Sequence, residues 1–306
     1  MRRSTDKPPA VLIVNPRAGR LPDRLRRDVI SAMRERFRLE TVHTHVRDAG
    51  IGLAREAAEA GSSLVVAFGG DGIVNEVANG VAESSAALGV IPGGTMNVFS
   101  RALGIPQDPF AAVDHLAEAV TRPPRSVPLG RMDDRYFTFS AGCGFDAEAA
   151  ERVERYLTSK RRFGQMFFYW SAFRVLMRSF DLRTPVMKAV GPFGEVPVAM
   201  AIVCNAGPYA YFAGRAVRLT PEVELHRGID LFALKRMRVE ALPVYVWRVA
   251  VTGDLVHHPD VLYSSDLSEV EVRADHTFHR HVDGEPLPSA RTARFGIAHD
   301  VLNVRA

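Results

Sequence analysis

Cysteine is nearly missing from this chain: there are two in 306 residues, Cys143 and Cys204, each among apolar or small neighbours. With no CxxC pair and no Cys/His cluster, a small disulfide scaffold is excluded, and a reduced compartment with buried thiols is expected. Long hydrophobic runs are missing as well. The most apolar window, residues 165–177, carries Arg174 and is too short to span a bilayer. The VLIV run after the polar first ten residues has the length of a strand, not of a signal peptide. The expectation is a cytoplasmic protein that at most touches a membrane surface. No internal repeat or low-complexity tract is present. A strong charge imbalance is also lacking: 39 Lys and Arg stand against 35 Asp and Glu, for a net charge of +4. That mild excess suits phosphates or lipid headgroups and falls short of a nucleic-acid-binding pattern.

What is present is a globular composition. Hydrophobic residues make up 47% and charged residues 24%, enough for a substantial core, and the length suits one large or two ordinary domains. From residue 9 to about residue 124, apolar runs alternate with helical stretches. AVLIV (10–14), LETVHT (39–44), SLVVAFGG (63–70) and ALGVIPGGT (87–95) read as strands, with helices over 25–37, 50–60, 73–82 and 97–103. Continuous apolar strands alternating with helices predict a doubly wound parallel sheet covered on both faces, with ligands at the carboxyl ends of its strands. The proline-rich TRPPR (121–125) reads as a domain boundary. Beyond it, RYFTFSAG, PVMKAV, VPVAMAIVCNA, IDLFALKR, SEVEVRA and FHRHVDGE predict a mostly antiparallel β-sandwich, interrupted by helices over 147–180 and about 239–251. The domains expected are 1–125 and 126–291. A tail over 292–306 either finishes the second domain or returns to the first.

Three glycine-rich turns follow three of the strands. The first, Asn15-Pro16-Arg17-Ala18-Gly19, exposes backbone N–H groups beside the fixed cation of Arg17. The second, Gly69-Gly70-Asp71-Gly72, runs into a helix whose N-terminus offers unpaired N–H groups and partial positive charge. The third, Pro92-Gly93-Gly94-Thr95-Met96-Asn97, repeats the strand, turn, helix order. One such turn is an ordinary connection; three on one sheet edge point to a bound phosphate. Asp71 would repel that anion unless a cation lay between them, which Mg²⁺ would satisfy. The alternative is a helix N-cap.

Near the C-terminus, Asp283-Gly284-Glu285 sets two carboxylates around a glycine, a pattern suited to general acid–base work. On the residues alone a hairpin turn is favoured, since Asp-Gly is a strong hairpin signal. His276, His279 and His281 precede it. His279 and His281 should share a strand face, which could hold a metal, although solvated or core histidines are commoner.

Taken together, VNPRAG (14–19), FGGDGIVNEVANG (68–80), IPGGTMNVFSRALGIP (91–106) and VDGEP (282–286) resemble the diacylglycerol kinase catalytic-domain family. That family includes bacterial lipid kinases and the sphingosine and ceramide kinases. AGCGFDAEAAERVE (141–154) is similar to the segment opening the family's second domain, so the likeness covers nearly the whole chain. GGDG alone is shared with NAD kinases and phosphofructokinases; joined to NPxxG, PGGTxN and DGE it is specific.

The resemblance implies an N-terminal nucleotide domain, a C-terminal β-rich lipid domain and an active site in the cleft between them. It implies ATP and Mg²⁺ and the transfer of a phosphoryl group to the hydroxyl of diacylglycerol or a sphingoid-type lipid. Asn15 and Gly19 match its first phosphate turn, Thr44 a nucleotide-contacting threonine, and Gly69, Gly70, Asp71 and Gly72 its central loop. Glu76 matches the acid of the next helix, and Gly94 and Thr95, with Asn97 after them, the third turn. Glu285 matches the proton acceptor, with Asp283 beside it. A place in phospholipid biosynthesis is expected, and a homodimer stays open. An NAD kinase-like enzyme and a non-catalytic nucleotide sensor are the competing readings.

Four positions depart from the family's pattern. Ile73 stands for the threonine of GGDGT, Val98 for the aspartate of GTxND, Pro128 for an acid in the opening of the second domain, and His226-Arg227-Gly228 for an Asp-Asp-Gly that contributes a structural magnesium site. The last three losses suggest a subgroup without that second metal, with Arg227 supplying the charge. For the membrane, residues 151–183 hold eight basic residues against three acidic ones, with Phe163, Met166, Phe167, Phe168, Tyr169, Trp170 and Phe173 between them. This is either a docking surface for anionic lipid or a core-facing stripe with a solvated basic face.

Overall fold

Four six-residue strands organise the first part of the chain, three of them runs of mostly buried apolar residues: β1 (Pro9–Val14), β2 (Arg38–His43), β3 (Leu64–Gly69) and β4 (Ala87–Pro92), with β2 the polar exception. The computed structural model describes residues 7–15, 22–44, 46–144, 187–212, 215–236, 241–248 and 255–306. The chain divides into two units, one formed by Met1–Leu129 with Ala298–Ala306 and the other by Gly130–Ile297.

In the first unit the strands are parallel in the order β2-β1-β3-β4, with Val14 level with both His43 and Phe68, and Phe68 level with Ile91. Every residue of β3 and β4 is buried, as strands covered on both faces must be. β2, at the end of this order, is nowhere fully buried, and its RLETVH sequence is correspondingly polar. The cover comes from α1 (Asp23–Arg36), α2 (Ala49–Glu59), α3 (Asp71–Val81), α4 (Val98–Ala102) and α5 (Pro109–Ala119), with α2 against α3 and α1 against α5. α5 is not among the helices that the sequence predicts. Its start is built by Asp108, whose carboxylate accepts from the N–H groups of Phe110 (3.1 Å) and Ala111 (2.9 Å), and by Pro109 in the first turn. The last strand of the molecule, β16 (Glu285–Val304), ends in this unit. Asn303 and Val304 lie parallel to Ala87 and Leu88 of β4. The chain passes from β1 out to β2 and back across to β3, so the crevice that such a reversal opens lies beyond the carboxyl ends of β1 and β3.

The second unit takes in β6 (Arg135–Phe137), β7 (Ser140–Gly144), β8 (Met187–Gly191), β9 (Gly194–Val198), β10 (Met200–Cys204), β11 (Ala210–Phe212), β12 (Arg215–Val217), β13 (Ile229–Leu234), β14 (Val261–Leu267) and β15 (Glu269–Val282). The end of β5 (Arg125–Met132) and the first part of β16 also belong to it, and a short helix, α6 (Leu242–Trp247), lies between β13 and β14. The main run, β14-β13-β10-β7-β15, is antiparallel. β10 and β13 are buried throughout, and their alternate residues enter two different clusters. Ala201, Val203, Leu231 and Ala233 join one with Phe137, Phe278 and Phe295; Met200, Ile202, Phe232 and Leu234 join the other with Tyr245 and Leu255. This is why VPVAMAIVCNA reads as one apolar run without alternation. β15 pairs with β8 through Glu271–Arg273 and with β7 through Arg280–Val282, and its register against β16 shifts in between. A long strand that changes partner at an irregularity is how packed antiparallel sheets turn their corners. The helix expected over 147–180 lies outside the described residues, and of the one expected over about 239–251 they include α6.

Candidate active site

The carboxyl ends of β1 to β4 bring together Asn15, Thr44, the Gly69–Gly72 loop and the Gly93–Asn97 turn. Arg17 and Gly19 lie outside the described residues. Thr44 continues the β1–β2 ladder, its N–H donating to Val14 O at 2.9 Å, and Gly93 continues β3–β4 by donating to Gly69 O at 2.7 Å. Two of the predicted turns therefore sit side by side by virtue of strand pairing alone. They touch at their glycines: a Cβ on Gly94 would fall 2.6 Å from the Gly70 Cα, and one on Gly70 would fall 3.4 Å from the Gly94 Cα. Only a residue without a side chain fits at Gly94.

Asp71 is the first residue of α3, and the cap position belongs to Gly70, which has no side chain to close the helix. The N-terminal amides of α3 thus open onto the glycine loop, the arrangement that favours an anion. Thr44 is 2% exposed, and its Oγ1 has no hydrogen-bond partner among the described residues, an orphan polar atom at the same edge. A glycine cradle, an open helix start and an unsatisfied hydroxyl fit a phosphorylated ligand. A single carboxylate in that loop also fits Mg²⁺, which keeps most of its waters and takes one or two carboxylates beside substrate phosphates.

Two of the predicted site residues also bond within the protein. Asn97, left-handed at φ 48°, accepts from the Gly94 N–H at 2.9 Å and donates its amide to Gly94 O at 3.0 Å. It staples the third turn and occupies the Gly94 N–H, leaving Thr95 and Met96 as the exposed residues of the turn. Glu76 is 4% exposed and accepts from the Gly50 N–H at 2.7 Å, which satisfies an amide in the first turn of α2. A Cβ at Gly50 would lie 2.5 Å from that carboxylate oxygen. Of the departures in this unit, Ile73 and Val98 are buried in the core, and Pro128 is buried in β5.

In the second unit, Asp283 and Gly284 form the two-residue turn between β15 and β16, with φ of 47° and 81° and Val282 level with Glu285. Positive φ at both positions is the hairpin geometry that Asp-Gly favours. Asp283 is 7% exposed. One of its oxygens accepts from the Thr138 N–H and Oγ1, both at 2.7 Å, and the other from the N–H groups of Phe139 and Ser140, both at 3.0 Å. Glu285, just past the turn, is half-buried. His281 is buried, His279 half-buried and His276 exposed, and within this unit no three described His, Cys, Asp or Glu residues have ligand atoms placed to share a metal.

The His226-Arg227-Gly228 segment meets a carboxylate. Asp266 accepts from the Gly228 N–H at 2.8 Å and from the Arg227 guanidinium at 3.3 Å, and these two donors hold it below the usual carboxylate range. Asp230, next along, is pushed up by burial while accepting from the Tyr263 hydroxyl at 2.7 Å and the Asp266 N–H at 3.0 Å. Tyr263 is raised in turn, by its own burial first and by Asp230 second. None of the Thr138, Ser140, Gly50 or Asp266 contacts was anticipated, because each joins segments that no motif links.

The diacylglycerol kinase catalytic domain family matches residues 9–155. The chain is 31% identical to the diacylglycerol kinase of Bacillus subtilis over 76% of its own length and 74% of that protein. It is also 31% identical to the diacylglycerol kinase of Staphylococcus haemolyticus, over 90% of this chain and 82% of that one. A solved structure of a diacylglycerol kinase from Bacillus anthracis shares the fold, with a TM-score of 0.66 at 20% identity over 97% of this chain and 96% of the other. The sequence likeness to these two relatives, over more than two thirds of each, places this chain in the diacylglycerol kinase family of lipid kinases.

Proposed function

We propose that the chain transfers the γ-phosphoryl group of ATP to a lipid hydroxyl, of diacylglycerol or of a sphingoid-type lipid. The observation that carries this reading is the contact between the Gly70 and Gly94 turns at the open start of α3, with Asp71 in the same loop. Residues 1–125 are proposed as the ATP domain, with 126–291 as the lipid domain and 292–306 as the tail.

Phosphoryl transfer asks a protein for positioning and charge neutralisation more than for covalent chemistry. The α3 amides and the Gly69–Gly72 backbone donate to phosphate oxygens, Thr95 adds its hydroxyl, and Thr44 donates its O–H, whose oxygen otherwise has no partner among the described residues. Asp71 would hold Mg²⁺, which when bound would supply charge neutralisation at the phosphates. Glu285 accepts the proton of the attacking hydroxyl. The reading assigns no base role to Asp283, whose two oxygens already receive four donors.

A lipid substrate requires contact with a bilayer, and no helix among the described residues is long and apolar enough to cross one. Peripheral contact with an anionic surface is proposed. Residues 151–183, which suggested it, lie outside the described residues, but α6 adds Val244, 45% exposed, and Trp247, 60% exposed. An exposed tryptophan suits the lipid–water interface. A coupled ADP-release assay tests the reaction class: the purified chain should consume ATP with dioleoylglycerol or sphingosine in detergent, and not with NAD. Consumption driven by NAD alone would replace the lipid kinase reading with the NAD kinase one.

A further inference from the structure

The turn before Glu285 is held more tightly than a hairpin needs. A two-residue turn with Asp-Gly closes by itself, and here the turn is closed by Val282 opposite Glu285. Yet the Asp283 side chain folds back on another strand connection, taking three successive backbone amides and one hydroxyl from Thr138, Phe139 and Ser140. The Asp283 N–H also donates to Ser140 O at 2.7 Å, extending the β7–β15 ladder by one residue. From its other side the same segment is gripped by Asn205, whose N–H donates to Phe139 O at 2.9 Å and whose amide donates to Thr138 O at 3.3 Å. Thr138, Ser140 and Asn205 are all buried to 1% exposure or less. Farther along the hairpin, Arg280 pairs with Asp133, and Asp133 accepts from the Arg294 N–H at 3.0 Å. Burying a carboxylate is costly unless donors compensate it, and this one accepts four hydrogen bonds. Such a node earns little as packing and much as rigidity.

We propose that Asp283 is a positioning residue, with Thr138 its partner: the carboxylate clamps the turn to the Thr138–Ser140 segment and fixes where Glu285 presents its own. The inference rests on the reading of Glu285 as proton acceptor. It assigns the two acids of the DGE segment different tasks, one structural and one chemical, by what each touches. Asp283→Asn keeps the shape but turns an NH₂ group toward N–H donors. Thr138→Val removes one donor and keeps the fold of the turn, and Thr138→Ser restores the hydroxyl.

The test uses the full chain, with dioleoylglycerol or sphingosine as acceptor and steady-state kinetics across pH, together with hydrogen exchange of the backbone amides. Asp283→Asn should lower kcat by about tenfold to a hundredfold, the scale of a small misplacement, with KM for ATP little changed. Its residual activity should keep the acid limb of the wild-type pH profile, because Glu285 is still the group titrating. Thr138→Val should move kcat in the same direction and Thr138→Ser should rescue it. The amides of 138–140 should lose protection in Asp283→Asn, and that of Glu285 with them. If Asp283→Asn erases the acid limb while Glu285→Gln keeps it, Asp283 is the base and the clamp is overturned. Wild-type kcat per folded molecule in both Asp283→Asn and Thr138→Val overturns it too, and Thr138→Val decides alone if Asp283→Asn does not fold. Wild-type kcat in Glu285→Gln would instead remove the underlying assignment of the proton acceptor.

Discussion

Gly94 and Asp71 belong to two adjoining turns and should fail in different ways. Gly94→Ala places a methyl 2.6 Å from the Gly70 backbone, so the two turns must separate. Overpacking of this kind costs about 1–3 kcal/mol, and here it falls on the phosphate cradle, so KM for ATP should rise while the melting temperature drops only a few degrees. Asp71→Ala leaves the backbone alone and removes the carboxylate, so turnover should fall by about 10²-fold or more with the fold intact. Near-wild-type turnover in Asp71→Ala, or unchanged ATP affinity in Gly94→Ala, would contradict these roles. The glycines were legible in the sequence because three glycine-rich turns follow strands on one sheet edge, where a single one would be an ordinary connection. The task of Asn97 was not, because an amide three residues past a glycine can face a ligand or its own turn, and only the rotamer decides. Glu76 entered only through the family match, and its Gly50 N–H partner could not be read from sequence because the two become neighbours only when α2 packs on α3.

At the scale of elements, the strands of the first unit could be read directly, since full burial on both faces leaves no polar residue in β3 or β4. β5, β14 and β16 beyond Glu285 are not among the strands the sequence predicts. RSVPLGRM carries a proline and a glycine, VLYSSDL has a polar centre, and β16 alternates burial irregularly along its twenty residues, so none shows a clean period. The β13–β14 region carries a pH prediction. Gly228 and Arg227 hold Asp266 below its ordinary 3.8, so the stability it contributes is present above about pH 4 and is lost as acid protonates it. Burial holds Asp230 above 3.8, so its contribution has the opposite sign, full below about pH 4 and lost as pH rises through the raised value. Asp266→Asn should therefore flatten the acid fall in melting temperature, and Asp230→Asn should gain on the wild type as pH rises above about 4. Melting curves that run parallel to the wild type across that range would contradict both assignments.

For the whole molecule, fold and family were legible because the GGDG, PGGT and DGE segments combine local turn chemistry with an order along the chain. The acceptor lipid was not, because headgroup and acyl specificity depend on side chains brought together by folding rather than on any spaced motif. Val98, Pro128 and Arg227 show the same limit: sequence marks the missing acids, and the structure supplies burial at the first two and the Asp266 pair at the third. The measurement that tests the central claim most directly is incorporation of label from γ-³²P-ATP into a lipid extract. The purified chain would be incubated with vesicles containing dioleoylglycerol or sphingosine, and Glu285→Gln would run in parallel. The account predicts label in the organic phase as a phosphomonoester of the acceptor, with the Glu285→Gln signal lower by about 10²-fold or more. Label confined to the aqueous phase, or organic-phase label equal in the two proteins, would contradict it.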